Sequence, residues 1–64
     1  MTYYIAQATP RTTHTYGGSF KTKADARQAL RFIKSSCKSF YLGRDCLEVL
    51  NGSDSHYYNI VKQN

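Results

Sequence analysis

The pattern of apolar and polar positions divides the chain into short strand-like segments on either side of one stretch with helical periodicity. The segments TYYIAQA (residues 2–8) and THTYGGSF (residues 13–20) are rich in β-branched and aromatic residues and predict strands. TPRT between them contains the only proline, Pro10, and predicts a turn. Gly17-Gly18 weakens the second strand and predicts a bulge in it.

The segment KTKADARQALRFIKSSCK (residues 21–38) has the spacing of a helix. Thr22 is the predicted N-cap, and Asp25, three residues later, completes a variant of the capping box and places a negative charge at the positive end of the helix dipole. The predicted apolar face consists of Ala26, Ala29, Leu30, Ile33 and Cys37. The helix is expected to fray at Ser35-Ser36 or shortly after.

After the helix the pattern returns to strands. SFYLG (residues 39–43) is a short apolar segment with the length of a brief strand. DCLEVL (residues 45–50) and HYYNIVK (residues 56–62) flank NGSDS, in which Asn51-Gly52 is the turn signal of a hairpin. The predicted fold is therefore α+β, a small antiparallel β-sheet in the order β-β-α-β-β with one helix packed on one face.

The length of 64 residues predicts a single domain, residues 1–64. A domain of this size buries only about 60% of the surface that its unfolded chain exposes, which favours a surface function over a deep catalytic cleft. The net charge of +5 points to polyanionic or acidic partners, although general solubility has the same signature.

Cysteine usage and the start of the chain bear on the compartment. Cys37 and Cys46 are too few for a disulfide framework, and MTYYIAQATP has neither the basic nor the apolar region of a signal peptide. The longest apolar runs are about four residues, far below the ~20 that span a bilayer. We expect a soluble cytoplasmic protein without membrane contact and with both thiols free, the alternative being a Cys37–Cys46 bridge.

The cations of the predicted helix share one flank. At about 100° per residue they fall between about 60° and 140° from Ala26, whereas Asp25 points to the other side. This set, here called the cationic stripe, comprises Lys23, Arg27, Arg31, Lys34 and Lys38. Like charges at i,i+4 oppose helix formation by roughly 0.2–0.5 kcal/mol per pair. A stripe without counter-charges predicts contact with phosphates or carboxylates, and a solvated face is the alternative.

The tyrosines suggest a second surface. Alternation along a strand sends one residue of each pair Tyr3-Tyr4 and Tyr57-Tyr58 to each face of the sheet. A sheet with one helix leaves its other face open, where Tyr4 and Tyr57 are predicted to stack on bases or to anchor a protein partner. Tyr3 and Tyr58 are predicted to complete the core.

Catalytic and metal-binding patterns are weak. His14 and His56 could form an acid/base pair, but their spacing does not place them together. Cys37 is predicted to be an inert core thiol on the apolar helix face. The sequence has no C-x-x-C, H-x-x-x-H, P-loop or G-x-G-x-x-G spacing. We therefore predict no enzymatic activity, no catalytic residue, no metal site and no cofactor.

Two resemblances add to this interpretation. GSFKTKADARQAL (residues 18–30) resembles the strand-into-helix step of small DNA-binding modules such as integrase arm-binding domains, although those place three strands before the helix. Nearly the whole chain is similar to a small phage-encoded anti-CRISPR protein family, through YYIAQA, a basic helix, a cysteine near its end, LEVLNG and a last strand. This second resemblance implies inhibition of the type I-F surveillance complex by binding along its guide-RNA backbone subunits and blocking target-DNA hybridisation.

The predicted function is that of a small basic non-enzymatic binding protein acting on a nucleoprotein machine, most specifically a phage-type inhibitor of a host CRISPR surveillance complex. A basic inhibitor does not mimic DNA, so it would contact acidic or aromatic surface or bridge to nucleic acid. The alternatives are a stand-alone DNA- or RNA-binding module and, third, a small nuclease that uses the two histidines. The predicted partners are a host protein or nucleoprotein complex, or nucleic acid directly. The predicted location is the cytoplasm, which is that of the host cell if the protein is phage-encoded.

Overall fold

A computed structural model describes residues 2–63, which form a five-stranded antiparallel sheet with one helix on one face. The elements in chain order are β1 (Thr2–Ala8), β2 (Thr13–Phe20), α1 (Lys23–Ser36), β3 (Ser39–Gly43), β4 (Cys46–Asn51) and β5 (Asp54–Gln63). The strand order across the sheet is β2-β1-β5-β4-β3, so the first and last strands pair at its centre. The α+β fold and the β-β-α-β-β order are confirmed, and SFYLG forms an additional strand at one edge. Met1 and Asn64, which the predicted domain 1–64 includes, lie outside the described residues.

The helix begins after its predicted N-cap and ends at Ser36, within the segment where fraying was expected. The Thr22 side-chain oxygen accepts a hydrogen bond from the Asp25 backbone N–H at 3.1 Å, which satisfies one of the free amides of the first turn. At the other end the Cys37 N–H donates to the Ile33 carbonyl at 3.1 Å, but the Cys37 backbone is already extended. The Cys37 side chain is therefore exposed, and the prediction of a core thiol is wrong. Cys37 and Cys46 are both free.

The core lies between the helix and one face of the sheet. Ile5 on β1 pairs with Tyr16 on one side and Ile60 on the other, which places these residues on the helix side. The buried apolar residues are Ile5, Ala26, Leu30, Ile33, Leu47, Val49 and Tyr58. The Tyr58 ring meets the Tyr16 ring edge-to-face with 5.6 Å between centroids. The prediction that Tyr58 belongs to the core is confirmed, whereas Tyr3 on the same face is only half-buried.

Both glycine-dependent features occur as predicted. Between the pairs Tyr3–Phe20 and Ile5–Tyr16 the register shifts, because β2 contributes more residues than β1, and Gly17 adopts φ +70° there. In the β4–β5 hairpin Gly52 has φ +66° and is the first residue of a two-residue loop. The bulge and the hairpin turn are thus confirmed.

Candidate binding surface

The helix is joined to the turn between β3 and β4 through one carboxylate. Asp45, in the turn between β3 and β4, accepts a hydrogen bond from Arg27 Nε at 2.8 Å and lies 3.0 Å from Lys23 Nζ. Both cations belong to the cationic stripe, so the prediction that the stripe has no counter-charges is wrong for these two residues. Lys23 and Arg27 therefore have a structural role, because they attach the first turns of the helix to the β3–β4 hairpin.

The Asp45 carboxylate is stabilised in its charged form. The hydrogen bond from Arg27 holds the pKa of Asp45 below its ordinary value of 3.8, with Lys23 contributing in the same direction. Partial burial of Asp45 opposes this effect and is outweighed. Asp45 is therefore ionised throughout the neutral range, and the ion pairs with Lys23 and Arg27 are present there.

Beyond Asp45, the stripe continues into a groove between the helix and the edge of the sheet. The groove has a volume of about 220 Å³ and is lined by Arg27, Leu30, Arg31, Tyr41 and Arg44. Lys34 Nζ lies 5.7 Å from the centre of the Tyr41 ring, at the distance of a cation–π contact. We call these lining residues together with Lys34 the basic groove.

Three cations of the basic groove have no acidic partner within residues 2–63. Arg31, Lys34 and Arg44 form no ion pair there, and Arg31 and Arg44 are exposed. The remaining acids lie elsewhere: Asp25 in the first turn of the helix, Glu48 on β4 and Asp54 on β5. The groove thus concentrates positive charge around one exposed aromatic ring.

Lys38, the last member of the stripe, is placed differently from its prediction. The helix ends at Ser36, so the helical projection does not extend to Lys38. Lys38 instead leads into β3, and its carbonyl accepts a hydrogen bond from the Leu50 N–H at 2.9 Å. Its side chain is exposed but does not line the groove.

The sequence did not predict three residues of this region: Tyr41 and Arg44 in the groove, and Asp45, which pairs with Arg27. They belong to the segment YLGRD (residues 41–45), and nothing in its pattern of apolar and polar residues indicates that it lies next to the helix. The only available signal was the charge pair Arg44-Asp45 between two apolar segments, which is compatible with any exposed turn. Only the packing of α1 against the sheet brings these residues to the stripe.

The predicted tyrosines Tyr4 and Tyr57 lie on the face of the sheet opposite α1, here called the open face. Tyr4 pairs with Val61, and Tyr57 pairs with Glu48 and with Ala8, all on the face opposite Ile5. The large apolar side chains of the open face are Tyr4, Phe40, Leu42, Leu50, Tyr57 and Val61. Tyr4 and Tyr57 are roughly 13 Å apart along neighbouring strands. The two predicted tyrosines therefore lie on a different surface from the basic groove.

A wider hollow of about 620 Å³ lies next to Tyr4 at the bulge of β2. Its lining consists of Tyr4, Thr15, Gly17, Gly18, Ser19, Lys62 and Gln63. It carries a single cation, Lys62, and much of its wall is glycine and small hydroxyl residues. Although it is the larger of the two depressions, it lacks the convergent charges that make the basic groove the stronger candidate.

The candidate catalytic histidines lie on different strands. His14 pairs with Gln7 and His56 with Val49, and β1 lies between their strands, which sets the strands about 10 Å apart. The two histidines are thus not brought together. Within residues 2–63 no three His, Cys, Asp or Glu side chains are grouped so that they could hold a metal ion. Over the same residues no helix is long and apolar enough to cross a membrane.

Fold and groove together describe a small basic α+β protein with an open antiparallel sheet. Comparisons with protein-family models, with curated proteins and with solved structures gave no significant match. The assignment of a function therefore rests on the surface chemistry of the chain itself.

Proposed function

We propose that this protein is a non-enzymatic binding protein that uses the basic groove to hold an anionic surface of a nucleoprotein complex. The observation that carries the proposal is the convergence of Arg31, Lys34 and Arg44 around Tyr41 without an acidic partner within residues 2–63. Like charges around one groove repel one another, and an anion that enters the groove relieves that repulsion.

The groove is held in shape before any partner arrives. Arg31 and Lys34 come from the helix, whereas Tyr41 and Arg44 come from β3 and the following turn. Asp45 ties these two elements together through Arg27 and Lys23. A partner therefore does not need to order the backbone of the site, which lowers the entropic cost of binding.

The most specific form of the proposal is inhibition of a CRISPR surveillance complex, as the resemblance to a phage-encoded inhibitor family implies. Its support is that resemblance together with the sign of the charge, because a basic inhibitor must meet acidic protein surface or nucleic acid held by the complex. A host lysate pull-down with and without nuclease distinguishes these two kinds of target. Partners that survive nuclease treatment are recognised as protein, and partners that are lost are tethered through nucleic acid.

A stand-alone DNA- or RNA-binding module is the second candidate, and one observation favours it. Tyr41 is 44% exposed and has Lys34 against its ring, which is the combination of a stacking surface and neighbouring cations found in single-strand binding sites. If phosphates occupy the groove, each lost contact lowers the slope of log K against log salt concentration by about 0.7–0.9.

Charge reversal in the groove tests the proposal. The triple change Arg31→Glu, Lys34→Glu and Arg44→Glu is expected to abolish binding to the captured partner or to single-stranded nucleic acid, since it replaces attraction by repulsion. Arg27 is kept, because a glutamate there would face Asp45 and disturb the fold. Binding is measured by titration at two salt concentrations, and circular dichroism verifies that the variant is folded.

A matched control changes the same number of exposed cations elsewhere. Arg11→Glu, Lys21→Glu and Lys62→Glu lower the net charge equally and lie away from the groove. This control is expected to keep most of the affinity. Equal loss in both triple variants would show that net charge, not the groove, determines binding, and a folded groove variant with wild-type affinity would refute the proposal.

A further inference from the structure

Strand β3 is an edge strand of the sheet that lacks the features which usually prevent pairing with another chain. Edge strands in natural proteins usually carry charged residues, prolines or other devices that prevent pairing with another chain. Ser39–Gly43 contains neither charge nor proline, and Phe40, Tyr41 and Leu42 are all exposed. A bulge at Leu42 interrupts its pairing with β4 only near the end of the strand. The other edge, β2, is by contrast polar and carries the Gly17 bulge.

The backbone of β3 offers hydrogen-bonding groups toward the open side. The Leu50 N–H donates to the Lys38 carbonyl, and the pairing continues in the same register through Phe40 opposite Glu48. In an antiparallel ladder bonded and non-bonded pairs alternate, so the N–H and C=O of Phe40 point to β4. Those of Tyr41 therefore point away from the sheet, where a further strand would lie.

The two faces beside this edge differ in chemistry. The side chain of Tyr41 lies on the helix side, at the basic groove with Arg31 and Arg44. Phe40 and Leu42 lie on the open face and are 46% and 53% exposed. A strand added at this edge would place alternate side chains among cations and beside apolar groups.

We propose that β3 receives an extended acidic segment of a partner protein as a sixth strand. Its residue opposite Tyr41 exchanges backbone hydrogen bonds with Tyr41 and turns an acidic side chain toward Arg31 and Arg44. Its flanking residues are apolar and pack beside Phe40 and Leu42. The inference rests on the proposed function and narrows it, because it assigns the groove to acidic peptide and makes nucleic acid an outcome of the test.

A second copy of this chain fits the edge poorly. A symmetric pairing of β3 with β3 would bring the Arg31 and Arg44 of one copy close to those of the other, with no acid between them. Like charges juxtaposed at an interface oppose association. Charge complementarity therefore selects an acidic partner over self-association.

The probes are synthetic peptides of about eight residues that alternate glutamate and valine, which matches the length of a strand. In the predicted register the glutamate N–H groups point to β3 and the valine N–H groups point away. One peptide is N-methylated at its glutamates and a second at its valines. The two methylated peptides have the same charge and the same number of methyl groups. They differ only in whether the methyl groups lie on the peptide edge that faces β3 or on the edge that faces away.

We expect the unmodified peptide and the valine-methylated peptide to bind the intact chain, and glutamate methylation to weaken binding by about tenfold or more. Binding is followed by shifts in the amide resonances of the labelled protein, and hydrogen exchange at the Tyr41 amide should slow in the complex. Leu42→Lys is expected to weaken binding, whereas Phe32→Lys, on the exposed outer side of the helix at 68% exposure, should leave it unchanged.

Each other outcome overturns the inference. Equal affinity of the two methylated peptides would mean that charge alone holds the peptide, which leaves the proposed function standing. Binding of single-stranded DNA but of no peptide would assign the groove to nucleic acid. Dimerisation of the free chain in sedimentation that Leu42→Lys abolishes would assign the edge to a second copy.

Discussion

At the scale of single residues, Asp45 determines which cations of the stripe are paired and which are available to a partner. Without it, Lys23 and Arg27 would be two more free cations on a helix. With it, they connect the helix to the β3–β4 hairpin, and Arg31 and Lys34 are left as the helix cations that form no ion pair within residues 2–63. One carboxylate thus separates the two cations of the stripe that support the fold from those that are available to a partner.

Replacing Asp45 by Asn should therefore destabilise the fold. The change removes the charge-assisted hydrogen bond to half-buried Arg27, at a cost of about 1–3 kcal/mol in the free energy of unfolding. Urea denaturation measures this difference. Asp54→Asn removes the same charge at an exposed position on β5 and should cost much less. Equal effects of the two substitutions would mean that Asp45 acts through net charge alone.

The same carboxylate predicts an acid-dependent part of the stability. Because the folded-state pKa of Asp45 lies below its ordinary value of 3.8, the folded protein binds fewer protons than the unfolded chain as the pH falls. Its contribution is complete above about pH 5 and is lost as the pH drops through the lowered pKa. The difference in stability between the wild type and Asp45→Asn should therefore shrink between pH 5 and pH 2, as measured by urea titrations. A constant difference over that range would exclude an ionised Asp45 as its cause.

At the scale of elements, local signals determine where each segment begins and bends. Thr22 starts the helix by accepting the Asp25 N–H, and its position is unambiguous in the sequence. The bulge in β2 depends on Gly17, whose φ of +70° lies in the left-handed region that residues with a Cβ avoid. These features depend only on residues that are close in sequence, which is why they can be predicted from the sequence.

Gly17→Ala should destabilise the protein by about 1–2 kcal/mol through backbone strain alone. Apart from its chain neighbours, no residue of 2–63 comes within 4 Å of the place that an alanine Cβ would take at Gly17, so a steric clash does not contribute. Gly18→Ala is the matched control, since its surroundings are equally open and its φ is not in the left-handed region. Thermal and urea unfolding of the two variants compare them directly, and similar losses would argue against strain as the mechanism.

At the scale of the whole molecule, a small core supports two chemically different surfaces. The helix covers one face of the sheet and contributes Ala26, Leu30 and Ile33 to the core. The basic groove lies at one margin of that contact, and the open face with Tyr4 and Tyr57 lies on the reverse. A chain of 64 residues is expected to have a free energy of unfolding of only roughly 3–10 kcal/mol. A single substitution in the core can therefore remove a large part of the stability.

A single large-to-small change in this core should be severe. Leu47, on β4, is fully buried on the helix side of the sheet, and Leu47→Ala is expected to cost about 2–5 kcal/mol. That is a large part of the total, so a substantial unfolded fraction is expected at 37 °C in circular dichroism. Leu42→Ala, at the exposed edge, should be close to neutral. A wild-type melting temperature for Leu47→Ala would show that the core is not the one described.

The sequence by itself determined the elements and their faces. Strand alternation placed Tyr4 and Tyr57 opposite Tyr58, and the capping and turn residues located the helix and the β4–β5 hairpin. These are consequences of φ/ψ preferences and of the periods of strand and helix, which act over a few residues. The excess of positive charge on one flank of the helix could be predicted for the same reason, because it follows from the helical period.

The tertiary structure alone decided which charges are free and where the edges lie. Asp45 is 18 residues from Arg27 along the chain, and no periodicity links them; they meet because the helix packs across the sheet toward the β3–β4 turn. The same packing brings Tyr41 and Arg44 to Arg31, and the strand order leaves β3 at the edge instead of the centre. Contacts between residues distant in sequence depend on how the hydrophobic faces are buried together. The function of a charged flank therefore depends on the element that packs beside it.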